Sequence, residues 1–440
     1  MKKKWIVTGV SACMVAAMLA GCGSSSKGGE SQSGSSSASA DGPVEVEFWY
    51  SGGKTAVNVV QEIVDSFNAS QDKYVVKTVT QADYDETYSK LQAGIAGKAA
   101  PDVALIEVIQ GQNLSDRGLL ADLSGFIAND PDYNEEDYVK VFFDQGKSDD
   151  MVFAIPAYGT TQVCYYNIAA FEKAGIDPAS IKTWQDLGKA AAAIKATGEY
   201  QYGWEPMWNE DNLIDIAYSN GGTMFNDDYT QVTINSPEWV ESWDQIRKWI
   251  HEDQTMTVHF GGQGWEYWYN TIDDVLNNVA GGYTGSSGDQ ADLDFSIVAA
   301  MEQPAWDDDS ASAPMAEAKL LSVLESSSDA EKQGAYDFIK YFIAPENQAK
   351  WNMETGYVAV NTKINDIPEY QTFLESHPQA AVPMAQVQHG SVLPIDPTGG
   401  AVRDALAIAA DKIEIDNVPA QEALDEAQKT AQEALDAVNK

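Results

Sequence analysis

Val44-Glu45-Val46-Glu47-Phe48-Trp49-Tyr50 sets Val44, Val46 and Phe48 on one side of a backbone and Glu45, Glu47 and Trp49 on the other. That period of two is the signature of a strand with one face buried. Val57, Val60, Ile63, Val64 and Phe67 follow at helical spacing. Tyr74 to Val79 reads as a second strand, and Tyr84 to Ile95 as a helix with Gly97 near its end. Val103 to Ile106, after Pro101-Asp102, is a short apolar run and reads as a buried third strand. Strand, helix, strand, helix, strand predicts a parallel sheet with helices on its faces, an α/β architecture.

A second unit begins after Pro156. Val163 to Tyr166 reads as a strand and Ile168 to Ala174 as a helix. Thr183-Trp184-Gln185-Asp186 has the form of a capping box and opens a helix to about Lys195. Ser236-Pro237 supplies a cap and a first-turn proline to a helix whose stripe is Val240, Trp243, Ile246 and Ile250. Trp243 lies on that stripe and is expected in the core. Ile272, Val275, Leu276 and Val279 mark another helix, Leu320 to Leu324 a strand, and Ala335, Phe338, Ile339 and Phe342 a further helix. Ala420 to Val438 is an amphipathic helix with an alanine-rich apolar face, too short and too acidic for a coiled coil.

The opening residues belong to a different physical class. Lys2 to Lys4 are followed by the apolar stretch Trp5 to Leu19 and then by Ala20-Gly21-Cys22. The stretch is too short to span a bilayer comfortably and reads as a secretion signal over residues 1–21. Its small residues and cysteine resemble a bacterial lipoprotein signal, which implies cleavage before Cys22 and lipid on its sulfur. An ordinary secretion signal with an incidental cysteine is the alternative. Residues 22–42 hold that cysteine and a Ser/Gly-rich tether. As a flexible coil it would reach roughly 25 Å. The expectation is an extracytoplasmic protein, lipid-anchored at the outer face of the cytoplasmic membrane.

The chain has 440 residues and a formal charge of −40. Such acidity argues against nucleic-acid binding and against adhesion to anionic lipid. With Cys13 in the signal and Cys22 lipidated, only Cys164 remains, so no disulfide framework is available. Cys164 lies in an apolar run and reads as buried and inert. The aromatic load is high, with 12 Trp and 20 Tyr. Many sit in polar, glycine-rich stretches: Trp49 to Gly53, Trp204 to Trp208, Trp265 to Tyr269 and Gly356-Tyr357. Aromatics in such loops are candidates for stacking on a ligand face.

Pro156-Ala157-Tyr158-Gly159-Thr160-Thr161, Tyr165-Tyr166-Asn167, Phe171 to Ile176 and Thr183 to Leu187 together resemble the solute-binding proteins of ABC importers. The carbohydrate type is nearest, with the maltose- and glycerol-3-phosphate-binding proteins as relatives. Gly282 to Gly288, Ala344-Pro345-Glu346-Asn347 and Thr355-Gly356-Tyr357-Val358 fit the same pattern, so the resemblance runs over most of residues 44–438. It implies an α/β, two-lobed periplasmic-binding-protein-like fold of type II, with a ligand cleft between lobes joined by a hinge that the chain crosses more than once. One lobe would hold 44–155 with 317–352, and the other 156–316 with 353–440.

The resemblance nominates site residues. Tyr50 ends the first strand, and Glu107 ends the third, where it could accept hydroxyl hydrogen bonds. Tyr158 and Thr160 lie at the crossover, and Trp208 lies where relatives place a stacking aromatic. Ser286 and Ser287 offer hydroxyls, with backbone N–H groups beside them if a helix starts there. Tyr357 follows a glycine in a turn, a poor place for core and a good one for a wall. Arg403 stands open between contacting ligand and holding an acidic neighbour. The chain departs from its relatives at Ala316-Glu317, where glycerol-phosphate binders carry glycines, and at Gly399-Gly400, where some maltose binders carry Trp. Glu317 near the cleft disfavours a phosphate by like-charge repulsion. A neutral or amino-bearing sugar fits better, and a polyol or glycerol phosphate is the alternative within the class.

Other functions compete. A surface glycoside hydrolase needs two carboxylates about 5–9.5 Å apart. With 67 acidic residues, chance pairs are assured and carry no specificity. Asp130-Pro131-Asp132-Tyr133-Asn134 has carboxylates at calcium-loop spacing but lacks the glycine at the sixth position. His251, His259, His377 and His389 are too scattered to nominate a zinc site. The expectation is a monomeric, non-catalytic receptor that needs no cofactor and no metal. It would bind a small carbohydrate and dock on an ABC permease.

Overall fold

The computed structural model describes residues 42–148, 151–392 and 394–439. The signal, Cys22 and all of the tether but Gly42 lie outside them. Along the chain come β1 (Val44–Tyr50), α1 (Lys54–Ser70), β2 (Tyr74–Thr80), α2 (Tyr84–Gly97), β3 (Val103–Glu107) and α3 (Val108–Asp116). Then follow β4 (Ile155–Thr160), β5 (Gln162–Asn167), α4 (Ile168–Ala174), α5 (Trp184–Ala196), β6 (Glu205–Pro206), α6 (Glu210–Ser219), α7 (Pro237–Arg247) and α8 (Glu266–Leu276). The last third holds β7 (Gly282–Ser286), β8 (Val298–Met301), β9 (Glu317–Val323), α9 (Asp329–Phe342), α10 (Pro345–Thr355), α11 (Ala401–Glu414) and α12 (Ala420–Val438). No helix among the described residues is long and apolar enough to cross a membrane.

Two sheets organise these elements. The first has strand order β2-β1-β3-β9-β4. β1 pairs in parallel with β2 and β3, as the alternating pattern predicts. The sheet is nevertheless mixed, because β9 runs antiparallel to both β3 and β4. It enters the sheet from the far side, after the chain has built the second sheet. That second sheet has order β8-β5-β7-β6. Ile155 to Thr160, which the sequence reading assigns from Pro156 on to the second unit, is a strand of the first sheet. The crossing falls at Thr161, one residue before β5.

Each sheet has its own core. Val46, Phe48, Leu105, Ile106, Leu320, Phe338 and Trp351 pack in one cluster. Trp184, Trp204, Trp239, Trp243, Leu406, Leu424 and Leu435 pack in another. Val358 and Val360 join the first cluster, whereas the final helices α11 and α12 join the second. The chain therefore passes between the two halves three times: at Thr161, between β8 and β9, and between Val360 and α11. Trp243 is fully buried and donates from Nε1 to the Leu213 carbonyl at 2.7 Å.

Local signals explain most boundaries. Thr183 Oγ1 accepts from the Asp186 N–H at 3.1 Å, but the Asp186 carboxylate reaches back to Lys182 N rather than closing the box on Thr183. Ser236 precedes Pro237, yet its hydroxyl donates to the Glu238 side chain and caps no backbone N–H. The acidic Asp130 loop is explained by ion pairing. Asp130 receives Lys340 Nζ at 2.7 Å and the Tyr336 hydroxyl at 3.0 Å.

Candidate functional site

A cavity of about 630 Å³ lies between the two sheets, lined by residues of both. From the first side come the loop after β1 (Gly52, Gly53), the start of α2 (Tyr84, Asp85, Tyr88) and Glu107, where β3 turns into α3. Thr160 and Gln162 line it at the crossing, and Glu317 and Lys319 from β9. From the second side come Asn209 to Asp211, Trp265, Tyr267 to Tyr269, Ser286, Gly288, Asp289, and Gly400 with Arg403 at the start of α11.

One buried charge network organises the floor. The antiparallel register sets Lys319 opposite Glu107. Lys319 Nζ is 2.7 Å from Glu107 and 3.1 Å from Glu317, and 4.8 Å above the Tyr84 ring. Burial works to raise the Glu107 carboxyl, but Lys319 and Arg403 outweigh it and hold it below the usual carboxylate value. Glu317 is raised by burial, which Lys319 only partly offsets. Across the cavity Arg403 binds Glu210 at 2.8 Å and Asp211 at 2.6 Å.

Aromatic side chains form another part of the lining, the aromatic wall. Trp265, Tyr267, Trp268 and Tyr269 occupy the N-cap and first turn of α8. Trp268 Nε1 donates to Asp289 Oδ1 at 2.7 Å, and the Tyr283 hydroxyl donates to Asp289 Oδ2 at 3.1 Å. Burial pushes the Asp289 carboxyl up to about 8 despite these two donors. Trp265 Nε1 is buried and has no hydrogen-bond partner among the described residues. Tyr357 closes a further side, its ring 4.6 Å from that of Tyr158. A Cβ on Gly288 would lie 2.3 Å from Cζ of Tyr357, so only glycine lets that ring lie where it does.

Of the residues nominated from sequence, Glu107, Thr160, Ser286, Glu317, Tyr357 and Arg403 line this cavity. Four do not. Tyr50 is 1 % exposed and packs with Phe48 in the core, because it continues the buried face of Val46 and Phe48. Tyr158 is fully buried behind Tyr357, its hydroxyl 2.6 Å from that of Tyr84. Ser287 is buried, 3.5 Å from Thr160 Oγ1, and opens a short 3₁₀ turn in which the Gly288 N–H donates to Ser286 Oγ. Trp208 lies behind the wall, edge-on to Tyr267, with Nε1 held by Asp411 at 2.9 Å. Lys319, Tyr84, Asp211 and Asp289 also line the cavity, and no local pattern in the sequence points to them. The Trp265–Tyr269 cluster, a candidate for stacking by its polar, glycine-rich setting, lines the cavity except for Glu266.

Among the described residues the lining acids are Asp85, Glu107, Glu210, Asp211, Asp289, Asp292, Glu317 and Asp404, set against the cations Lys319 and Arg403. Each of those cations already holds two carboxylates. Carboxylates accept hydrogen bonds from hydroxyls and ammonium groups, and aromatic faces stack on flat apolar surfaces. Such a cavity can hold a hydroxyl-rich solute.

Comparison with known proteins supplies the class. Residues 62–381 match the family model of the bacterial extracellular solute-binding proteins. The chain belongs to that family. It is 27 % identical over 379 residues, 81 % of this chain and 83 % of the other, to the sn-glycerol-3-phosphate-binding periplasmic protein UgpB of Yersinia pestis bv. Antiqua. Among solved structures, UgpB from Mycobacterium tuberculosis in complex with glycerophosphocholine superposes with a TM-score of 0.78 at 20 % identity, covering 91 % of this chain and 100 % of that one. The GacH receptor of Streptomyces glaucescens, solved unliganded and with acarbose, also gives 0.78 at 18 % identity, over 90 % and 99 %. The two-lobed α/β fold is shared with both. This solute-binding protein is thus an extracytoplasmic receptor of the ABC-importer class rather than an enzyme. At the cleft, Gly399 and Gly400 have φ of +72° and +109°, a conformation costly for any other residue.

Proposed function

We propose that this receptor captures a neutral or amino-bearing carbohydrate, of oligosaccharide rather than single-ring size, for delivery to an ABC permease. One observation carries the reading: a single cavity combines aromatic side chains with a carboxylate-rich lining whose two cations are already paired. Sugar hydroxyls donate to Glu107, Glu317 and Asp211, and the C–H face of a ring stacks on Tyr357 or on Trp265 to Tyr269. The volume suits a small-molecule site, for which about 300–1,000 Å³ is usual. The comparison proteins bind glycerol phosphates or sugar-like molecules by their names. The neutral sugar is favoured over the phosphate here, because a phosphate would meet an excess of lining acids while both lining cations are already paired.

In the same reading the lobes hinge at the crossings and close over the solute, a ligand-driven shift between populated states. The lobe assignment is 44–155 with 317–352 and 156–316 with 353–440, adjusted so that β4 and Val358 to Val360 go with the first. Cys22 carries the lipid that holds the monomeric receptor at the membrane, where the closed form docks on its permease. The test is tryptophan fluorescence and thermal shift of the chain from Gly23 on, against mono- and oligosaccharides, amino sugars, polyols and glycerol phosphates. A saturable response to a sugar recovered unchanged supports the reading. Conversion of the sugar to product, or a response to glycerol phosphates alone, overturns it.

A further inference from the structure

Glu205 is wholly buried on β6, in parallel register with Tyr283. Apart from the carboxyl of Asp274, no group among the described residues offers a hydrogen bond to its carboxylate oxygens. A buried carboxylate without a donor or a cation is among the costliest groups a fold can hold. Two groups far away in the chain close on it. His259 Nε2 lies 3.9 Å from Glu205 Oε2 and 2.9 Å from Asp274 Oδ2. One potential ligand atom from each of the three lies within 4.8 Å of the others. The floor is closed, with the Glu205 side chain 0 % exposed, while His259 and Asp274 are 34 % and 24 % exposed and form an open rim.

We propose that Glu205, His259 and Asp274 form a divalent-cation site, with zinc or manganese as its ion. One imidazole and two carboxylates are ligands that both ions accept. Zinc takes nitrogen at about 2.0–2.1 Å and carboxylate oxygen at about 2.0–2.2 Å, which sets tetrahedral ligand atoms about 3.4 Å apart. The separations of 2.9 and 3.9 Å straddle that value, so small side-chain shifts seat the ion. A water entering past the rim completes the coordination.

The three ligands come from anchored segments. The Thr257 N–H donates to the Trp204 carbonyl at 3.3 Å, which holds the His259 loop against the strand. The Asp274 carbonyl receives the N–H groups of Val279 at 2.8 Å and Ala280 at 3.2 Å. Asp274 stands near the end of α8, whose first turn carries the aromatic wall. The ion ties that helix to β6, outside the solute cavity. The competing arrangement is a proton shared between Glu205 and Asp274, with His259 merely paired to the latter.

The experiment uses the chain from Gly23 on, since Gly42–Lys440 forms a compact unit by itself. The protein is stripped with EDTA and titrated calorimetrically with ZnCl₂ and, separately, MnCl₂, beside His259→Ala and Glu205→Gln. Melting curves in EDTA show whether each variant folds; His259→Ala, at the rim, carries the test should Glu205→Gln unfold. One equivalent bound by the parent, a raised Tm, and binding at least about tenfold weaker in the folded variants is the expected result. No saturable binding of either ion, or an affinity unchanged in His259→Ala, overturns the site.

Discussion

Lys319 and Glu107 face each other across an antiparallel pair of strands, 212 residues apart in sequence, and meet at 2.7 Å with side chains only 8 % and 19 % exposed. Each end of that pair lines the cavity, so one ion pair both bridges β3 to β9 and shapes the charge of the solute site.

Replacing Lys319 by Met should therefore cost far more than loss of a surface pair. Glu107 and Glu317 would stay buried with their nearest cation gone, a change worth about 3–5 kcal/mol. Urea unfolding of the variant checks this. A loss below about 1 kcal/mol, the size typical of exposed pairs, would show that water reaches the network freely.

Asp289 gives a pH signature. Its carboxyl is pushed up to about 8 by burial, from an ordinary value near 4 in the unfolded chain. A raised carboxyl favours folding while it is protonated in the native state, and that contribution fades as pH climbs from about 4 to about 8. The slope is at most about 1.4 kcal/mol per pH unit. Asp289→Asn mimics the neutral acid and still offers an oxygen to Trp268 Nε1. Its Tm relative to the parent should rise steadily between pH 5 and pH 8 and level off above. A difference that does not change with pH would refute the assignment.

The Tyr357 ring depends on Gly288. In Gly288→Ala the new methyl would sit 2.3 Å from the ring, which must swing aside. The strain is about 1–3 kcal/mol. Binding of the solute identified by the fluorescence panel should weaken about tenfold or more, as in Tyr357→Ala. Tyr50→Phe, by contrast, should leave affinity unchanged, because Tyr50 lies in the core. Equal losses in Tyr50→Phe and Tyr357→Ala would contradict the placement of the wall.

The fold was legible because its carriers are local patterns. The alternation from Val44 to Phe48 and the helical stripe from Val57 to Phe67 state their partners' faces directly. The same alternation, carried two residues further, places Tyr50 inward, and this register outweighs its position at a strand end. Trp208 could not be read, since its partner Asp411 lies 203 residues away. Lys319 was hidden for another reason. A lysine beside an apolar strand looks like a solvated edge until the register sets it between Glu107 and Glu317. His259 looked isolated because Glu205 and Asp274 reach it only through the fold.

Calorimetric titration of the chain from Gly23 on with sn-glycerol 3-phosphate bears most directly on the solute class. The acid-lined cavity, with Lys319 and Arg403 already paired, predicts no saturable binding up to about 1 mM, less than about 4 kcal/mol of affinity. Saturable binding in the micromolar range would contradict the account, by showing that those two cations leave their carboxylates to hold a phosphate.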